Sequence, residues 1–401
     1  MLTTIGSIHD GNRYRLKDRE KAMVFQELAT NAPCSRKAIA ERAGIRPTTV
    51  SRAVQELMGD ELIKTVARSG EDGLGRPEVL LEIEVNRLVA ISMYVQAREL
   101  RTAVINLREE SIVEYVVSLS AQTTNQEFLD ACTSSIRAVH SKVPAKAELL
   151  GVGISLIGTV AAGANTWISA ARWRNIRDLN FALLSCQLGL PVAINRMQDA
   201  ELEYLVQKNP AYRAKNVLFL HWGFGIGASY ANGGAVLGST IGRFCEIGHT
   251  RLSLDHGKEC QCGAIGCLET EAALWAIRDE ICSEIRGSLT DERELGQTMQ
   301  AMDIVGHPAI KRAIRYVGLA LANMHQILYP DVILFMGPFT HNEAVFRQLS
   351  AILRDHLPPY ARDQVQLHAI TGGFHGCIRG SVYRFFKRKL KAVLTLNRNP
   401  G

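Results

Sequence analysis

The chain has 401 residues, of which 47% are hydrophobic and 21% charged, a balance typical of a folded protein with two or three compact units. This composition excludes a disordered or fibrous protein. No apolar run reaches the roughly 18 to 20 residues that span a bilayer, and the first residues lack the apolar core of a signal peptide, so we expect a cytoplasmic protein without a membrane partner. The net charge of +6 allows nucleic acid as a partner but does not require it.

Three short helices are predicted near the start of the chain. One-sided apolar spacing predicts the first helix over residues 17–30. Ser35 can cap a second helix, Arg36–Ala43, and Gly44 supplies the tight turn after it. A turn of this length sets the third helix, predicted over residues 48–58, across the second one.

The third predicted helix has short polar side chains and an arginine on its outward face. Such groups at the N-terminal end of a helix suit base edges and phosphates in the major groove of DNA. Strands predicted over residues 62–66 and 78–83 enclose a glycine-rich segment, which is typical of a wing. The order of these elements indicates a winged helix-turn-helix for double-stranded DNA over residues 1–85; the alternative is a helical cap with a plain hairpin. The residues predicted to contact DNA are Arg36, Thr48, Thr49, Ser51 and Arg52, with Arg68 and Arg76 in the wing.

From residue 86 onward, strand-like apolar runs alternate with helical stretches, a pattern typical of an α/β protein. One layout occurs twice, which predicts two halves with a ligand cleft between them. The first cycle has predicted strands at 88–94, 100–107 and 112–119 and a helix at 128–140; the second has strands at 149–157, 191–194, 217–221, 228–231 and 235–237. Helices predicted at 309–328 and 376–394 flank a strand at Val332–Met336.

The most specific sequence signal is a cluster of metal-type ligands. His249 is followed by three closely spaced cysteines, Cys260, Cys262 and Cys267. Three thiolates and one imidazole form a complete tetrahedral set for zinc, and a closed set of four ligands is typical of a structural ion rather than a hydrolytic one. The alternative is a cluster of buried, reduced cysteines without metal. The six other cysteines are scattered, unlike a secreted disulfide framework.

Together, the winged helix, the E-x-G-H segment at residues 246–249 and the C-x-C-G-x-x-G-C-x-E segment at residues 260–269 resemble the ROK family. This family groups sugar-responsive repressors with sugar kinases on a two-lobed, actin-like ATPase fold. The resemblance covers essentially the whole chain. It implies a sugar-kinase-like, ligand-sensing domain over residues 86–401, with a zinc loop at about 246–269.

The resemblance also implies roles for individual residues. It places Glu246, His249 and Glu269 on sugar hydroxyls, and His249 with the three cysteines around a structural zinc ion. Carboxylates suit such a site because they accept paired hydrogen bonds from adjacent hydroxyls. Without the resemblance, the two glutamates could instead cap a helix or face solvent.

The chain departs from the kinases of the ROK family in several features. Their Asp-x-Gly-Gly-Thr phosphate loop is replaced in residues 90–96 by a segment with Ser92 at the acidic position and no glycine. Their Asn-Asp pair is replaced by Asn195 and Arg196, and an arginine stays protonated, so it cannot accept a proton from a sugar hydroxyl. Gly337-Pro338 replaces a Gly-Gly turn. We therefore expect a protein that is not an enzyme, in which Asn195 remains available to a sugar.

Three features leave alternatives open. Asp199, three residues after Arg196, is the candidate for a displaced catalytic base. Arg196 itself favours an anionic ligand, such as a sugar phosphate or acid, or no sugar at all. The glycine-rich run at residues 223–227 is compatible with phosphate binding, but it is also common in simple hairpin turns.

The leading hypothesis is a DNA-binding transcription regulator, expected to be a repressor of sugar metabolism or transport genes, that responds to a small sugar or sugar derivative. We expect a homodimer or homotetramer whose paired wings meet a palindromic operator. The competing hypothesis is a ROK sugar kinase with residual ATP-dependent phosphotransferase activity. A third is a constitutive DNA-binding or scaffold protein whose sensor is vestigial.

Overall fold

The structure is a computed structural model that describes residues 5–6, 8, 14–66, 79–96, 98–170, 173–238, 244–252, 257–281, 292–300, 302–370 and 376–395. Within these ranges, no helix is both long and apolar enough to cross a membrane. The described residues form two five-stranded and two three-stranded sheets with helices packed against them. The predicted α/β class is therefore confirmed.

The N-terminal segment folds into three helices and a small antiparallel sheet of order β1-β3-β2. Its elements are α1 (Leu16–Asn31), β1 (Cys34–Ser35), α2 (Arg36–Ala43), α3 (Pro47–Gly59), β2 (Ile63–Val66) and β3 (Leu80–Ile83). Ser35 Oγ accepts a hydrogen bond from the Ala38 N–H at 3.3 Å, and Gly44 ends α2 at a φ of +64°. Both caps, the helices and the wing strands are thus confirmed. The wing tip, residues 67–78 with Arg68 and Arg76, lies outside the described residues.

The first half of the larger unit contains a five-stranded sheet of order β11-β7-β4-β5-β6. Its elements are β4 (Leu88–Gln96), β5 (Glu99–Asn106), β6 (Ser111–Ser118), α4 (Asn125–His140), β7 (Glu148–Leu156), β8 (Thr159–Ala161), β9 (Thr166–Ala170), β10 (Trp173–Asn180), α5 (Ala182–Leu188), β11 (Val192–Arg196) and α6 (Met197–Lys208). Strands β4, β7 and β11 are parallel neighbours, whereas β4, β5 and β6 are antiparallel. The central strands are almost wholly buried because both faces of the sheet are covered.

A smaller sheet of order β10-β9-β8 is not predicted by the sequence pattern. Strand β10 exposes two residues for each one that it buries, around a register shift between Trp173 and Arg177. Its apolar spacing therefore matches neither a regular strand nor a helix. The buried side chains hold the small sheet in the core of the first half, where the rings of Trp167 and Trp173 meet edge to face at 6.1 Å.

The second half repeats the layout, with sheet order β14-β13-β12-β15-β16. Its elements are β12 (Val217–Trp222), β13 (Ile226–Asn232), β14 (Ala235–Val236), α7 (Glu269–Ala272), α8 (Leu274–Ile281), α9 (Glu292–Gln300), α10 (Pro308–Leu328), β15 (Val332–Met336), α11 (Glu343–His356), β16 (Gln366–Ala369), α12 (Gly376–Gly380) and α13 (Tyr383–Leu394). As in the first half, three antiparallel strands lie beside two parallel ones in the same order. The predicted duplication is confirmed, but the division between its cycles is corrected: the strands predicted at 149–157 and 191–194 for the second cycle are β7 and β11 of the first sheet, where they pair in parallel beside β4.

The single helix predicted over residues 376–394 is wrong, because α12 and α13 are separate helices. The chain turns at Ser381, whose Oγ lies 3.0 Å from Ser92 Oγ on β4. The backbone of Ser381 also lies against Gly153 on β7, where a Cβ would come within 2.4 Å of the Ser381 carbonyl oxygen. Close contact with the sheet thus interrupts a segment whose own pattern is continuous.

Candidate ligand cleft, metal site and DNA-binding surface

A cleft of about 590 Å³ lies between the two halves. Tyr94 and Ile157 line it from the first half, and His221 and Met336 line it from the second. Its volume lies within the usual range for small-molecule sites. The side chains at its mouth and floor therefore decide which ligands it can take.

The structure brings Glu246, His249 and Glu269 together in this cleft. Glu246 precedes a short 3-10 turn that ends at His249, and Glu269 is the first residue of α7. Both oxygens of the Glu269 carboxylate are held: Oε1 accepts from the Ile226 N–H at 2.8 Å and Oε2 from Trp275 Nε1 at 3.1 Å. Glu269 is thus oriented before any ligand arrives.

Of the two adjacent residues Asn195 and Arg196 at the end of β11, the structure places Arg196 in the cleft. Of the described residues, Asn195 is not among those that line the cleft, whereas Arg196 and Gln198 are. Successive side chains of a strand point to opposite faces, so Asn195 and Arg196 at the end of β11 cannot both face the cleft. The sequence motif did not distinguish between the two.

Arg196 is 4% exposed and is bound on several sides. Its Nε and Nη2 donate to Asp199 at 3.0 and 2.7 Å, and its Nη1 donates to Glu246 Oε1 at 3.2 Å. Burial alone would lower the pKa of Arg196, but the hydrogen bonds and charge of Asp199 outweigh burial and raise it. The cation is therefore permanent, yet it is already paired with carboxylates, which removes the reason to expect an anionic ligand from Arg196.

Asp199, the candidate for a displaced base, is engaged at both oxygens. Besides the two bonds from Arg196, Oδ1 accepts from Ser229 Oγ at 2.7 Å. Burial raises the pKa of neighbouring Glu246, although the charge of Arg196 opposes this effect. Ser92, at the position of the kinase acid, is fully buried against Ser381. These contacts leave Asp199 poorly placed to take a proton from a ligand hydroxyl.

The four metal-type ligands converge beside the cleft, with all their ligand atoms within 4.8 Å of one another. Cys260 Sγ lies 3.6 Å from His249 Nδ1, and Cys262 Sγ lies 3.7 Å from Cys267 Sγ. A tetrahedral zinc ion with bonds of about 2.0 to 2.3 Å sets its ligands about 3.5 to 3.8 Å apart, so these distances fit it. The distance between Cys262 Sγ and Cys267 Sγ is far too long for a disulfide.

The outward face of α3 carries most of the predicted DNA contacts. Thr48, Ser51 and Arg52 are exposed, and Thr49 and Arg36 are half-buried. Arg52 also forms an exposed ion pair with Glu20 on α1, at 3.6 Å. Sequence reasoning missed exposed Arg46, although its place directly before the helix start at Pro47 is a usable signal for phosphate contact.

The family profile described as ROK family matches residues 95–384. The chain belongs to the ROK family. In addition, residues 23–64 match a profile described as winged helix-turn-helix DNA-binding. This ROK protein thus combines a DNA-binding type of N-terminal segment with the family's larger unit.

Relatives of this ROK protein span nearly its full length. The DNA-binding transcriptional repressor Mlc of Escherichia coli is 23% identical over 382 residues, covering 92% of this chain and 94% of Mlc. The xylose repressor of Caldicellulosiruptor bescii is 24% identical over 343 residues, covering 81% of this chain and 84% of that protein. The crystal structure of a ROK family transcriptional regulator, a homologue of E. coli Mlc, superposes with a TM-score of 0.70 at 21% identity, covering 94% of this chain and 98% of the other. This likeness confirms the fold.

Proposed function

We propose that this ROK protein is a ligand-responsive transcription repressor of sugar metabolism or transport genes. The observation that carries the proposal is a winged helix-turn-helix joined to a kinase-like cleft whose base position holds a buried, paired arginine, Arg196. The full-length relatives named as repressors support it. Residues 1–85 would bind DNA, and residues 86–401 would sense the ligand.

The ligand that we infer is a carbohydrate-type molecule bound between the two halves. Glu246, His249 and Glu269 would bind its hydroxyls, and Gln198 lines the cleft where Asn195 does not. Binding would stabilise one relative arrangement of the halves and so shift an equilibrium between DNA-competent and DNA-incompetent states. A dimer or dimer of dimers would present paired wings to a palindromic operator.

We further propose that His249, Cys260, Cys262 and Cys267 hold a structural zinc ion. The ion would fix the loop that carries His249 and ends two residues before Glu269. Thiolate ligands require a reducing compartment, which favours the cytoplasm as the place of action. With all four ligands from the protein, this zinc would have no open position for catalysis.

We propose that this ROK protein does not transfer phosphate. Arg196 cannot accept a proton, and Asp199 already accepts three hydrogen bonds. The kinase alternative predicts ADP release with some sugar, so a coupled ADP assay over neutral and anionic sugars decides between the two. Turnover that is lost in Asp199→Asn would establish the kinase instead.

The regulator proposal is tested by DNA binding of the purified protein. Genome-wide footprinting identifies the operator, and the affinity for this operator is then measured for Arg52→Ala and for a matched control, Arg347→Ala. Arg347 lies on α11 with its side chain 74% exposed, and it forms a surface ion pair with Glu343. We expect Arg52→Ala to weaken operator binding by about 10- to 100-fold, as for a lost base contact, and the control to leave it unchanged. Equal affinity and equal salt dependence in Arg52→Ala would contradict the assigned DNA-binding surface.

A further inference from the structure

The glycine-rich turn at residues 223–227 orients Glu269 through the Ile226 N–H, but the proposed regulator assigns no role to the N–H of Phe224. The carbonyl groups of Gly223 and Phe224 accept hydrogen bonds from the N–H groups of Leu274 and Trp275, at the start of α8. On the cleft side, the N–H groups of Phe224 and Ile226 each donate to a carboxylate of the chain itself. The turn is thus a pair of backbone donors aimed into the cleft, the arrangement that proteins use to bind anions.

Glu292, the first residue of α9, is the carboxylate that accepts from the Phe224 N–H. Its Oε1 accepts from the Phe224 N–H at 2.6 Å, and its Oε2 lies 2.8 Å from His221 Nε2. These are the short distances of charge-assisted hydrogen bonds. His221 is 7% exposed at the end of β12, so the carboxylate is held in a largely enclosed position.

The shape of the turn confirms that the carboxylate fills a specific space. A Cβ on Gly223 would lie 2.7 to 2.8 Å from both oxygens of Glu292, so a side chain at residue 223 would compete with this carboxylate for the same space. His221, Phe224 and Glu292 all line the same cleft as Glu246 and His249. Removing the Glu292 side chain would therefore vacate the space beside these donors for a molecule in the cleft.

We propose that the turn at residues 223–227 is an oxyanion site in which the carboxylate of Glu292 is an internal ligand that excludes phosphate groups. The backbone donor of Phe224 and the ring of His221 would bind a phosphate oxygen in the same way as they bind Glu292. In the wild-type protein, a phosphate group must displace a carboxylate that is covalently part of the chain. The glycine turn of the kinase-like fold is thus retained, but it is closed to phosphorylated molecules.

The test is binding of inorganic phosphate, measured by equilibrium dialysis of the full-length protein. Compared with wild type, Glu292→Ala should bind phosphate at least about tenfold more tightly, because a charge-assisted hydrogen bond becomes available. Glu292→Gln, which keeps the shape and removes the charge, should show a smaller gain. ADP and glucose 6-phosphate serve as parallel probes. If Glu292→Ala also binds one of them more tightly than wild type, that molecule is identified as a source of the phosphate group. Tighter binding of inorganic phosphate alone still supports the site.

Two further variants keep the result interpretable. Glu343→Ala removes one carboxylate whose side chain is 85% exposed, so it should not change phosphate binding. In the double variant Gly223→Ala/Glu292→Ala, the new methyl group would stand where the carboxylate stood, and the gain should be lost. The proposal is overturned if Glu292→Ala and Glu292→Gln bind phosphate no better than wild type, if Glu343→Ala gives the same gain, or if the double variant retains it. Circular dichroism verifies that each variant is folded.

Discussion

Arg196 joins two carboxylates, from Asp199 and Glu246, at a buried position beside the cleft. A buried ion pair adds little net stability, because desolvation offsets the attraction, but removing one partner leaves the other charges uncompensated. The arrangement therefore fixes the geometry of Glu246 more than it stabilises the fold. It also engages both oxygens of Asp199.

Replacing the Arg196 guanidinium should destabilise the folded protein for this reason. We expect Arg196→Met to lower the free energy of unfolding by about 3–5 kcal/mol, because two carboxylates lose their cation. Arg347→Met is the matched control, since the Arg347–Glu343 pair is exposed on both sides and should change stability by less than about 1 kcal/mol. Urea unfolding of both variants measures the difference. Equal losses in the two variants would show that Arg196 is not part of a buried charge network.

The metal site gives a second prediction at the level of single residues. Purified protein should contain about one zinc ion per chain, and Cys262→Ser should lose it and lower the free energy of unfolding by at least about 2 kcal/mol. Cys186→Ser is the control, because Cys186 is also an exposed thiol but lies outside the cluster. Elemental analysis and thermal unfolding provide the two readouts. Zinc content that is unchanged in Cys262→Ser would refute the ligand set.

Short motifs predicted this site well where spacing alone determines geometry. Cys260, Cys262 and His249 converge as their spacing indicated, since a tight loop can close only in a few ways. Asn195 does not line the cleft whereas Arg196 does, and the motif could not show this because the alternation of side chains along a strand decides which of two adjacent residues faces a cleft. The partners of Arg196 were also missed: Glu246 is distant in sequence, and nothing in the pattern reveals that the two side chains meet.

Among the elements, α6 and α12 meet through an unusual buried carboxylate. Glu201 on α6 is 2% exposed, and its Oε2 accepts from the Cys377 N–H in α12 at 2.7 Å. Burial raises the pKa of Glu201 to about 7, although the backbone donors of Gly376 and Cys377 oppose this effect. The contact between the two helices therefore depends on pH near neutrality.

The sign of the pH effect follows from proton binding. The folded state keeps a proton on Glu201 up to about pH 7, whereas the unfolded chain releases it near its ordinary pKa of 4.5. The contribution of Glu201 to the free energy of unfolding is thus fully present at low pH. It is lost as the pH rises through about 5 to 7, by about 3 kcal/mol in total. Urea unfolding at several pH values should show this loss in wild type relative to Glu201→Gln, while the exposed control Glu343→Gln follows wild type. Parallel curves for wild type and Glu201→Gln would contradict the prediction.

Element boundaries were predictable wherever local signals agree with tertiary packing. The caps of α2, at Ser35 and Gly44, are local, and both appear as expected. Strand β10 and the turn at Ser381 depend on contacts with distant residues, such as the approach of Ser381 to Gly153. Such contacts override the periodicity of the segment itself, so no reading of that segment alone could have located them.

For the molecule as a whole, the boundary predicted at residue 85 does not separate two cores. Phe25 and Leu57 of the winged helix lie in the same apolar cluster as Leu390 and Leu394 of α13. That cluster continues to Leu88 on β4, in the first half of the larger unit. In addition, Lys21 Nζ on α1 donates to the Val393 carbonyl oxygen at 3.1 Å. Helix α13 therefore joins the winged helix to the larger unit.

A shared core predicts that destabilisation spreads across the boundary. Leu394 is 1% exposed, so Leu394→Ala should lower the free energy of unfolding by about 2–5 kcal/mol. The loss should reach both the winged helix and the first half of the larger unit, because both pack on the same cluster. Leu183→Ala is the control, since Leu183 is 65% exposed on α5. Hydrogen exchange measured by mass spectrometry should show reduced protection both in α1–α3 and in β4–β5 for Leu394→Ala, and in neither for the control. Loss confined to α1–α3 would mean that the winged helix opens independently, so a ligand in the cleft could not act on DNA binding through this core.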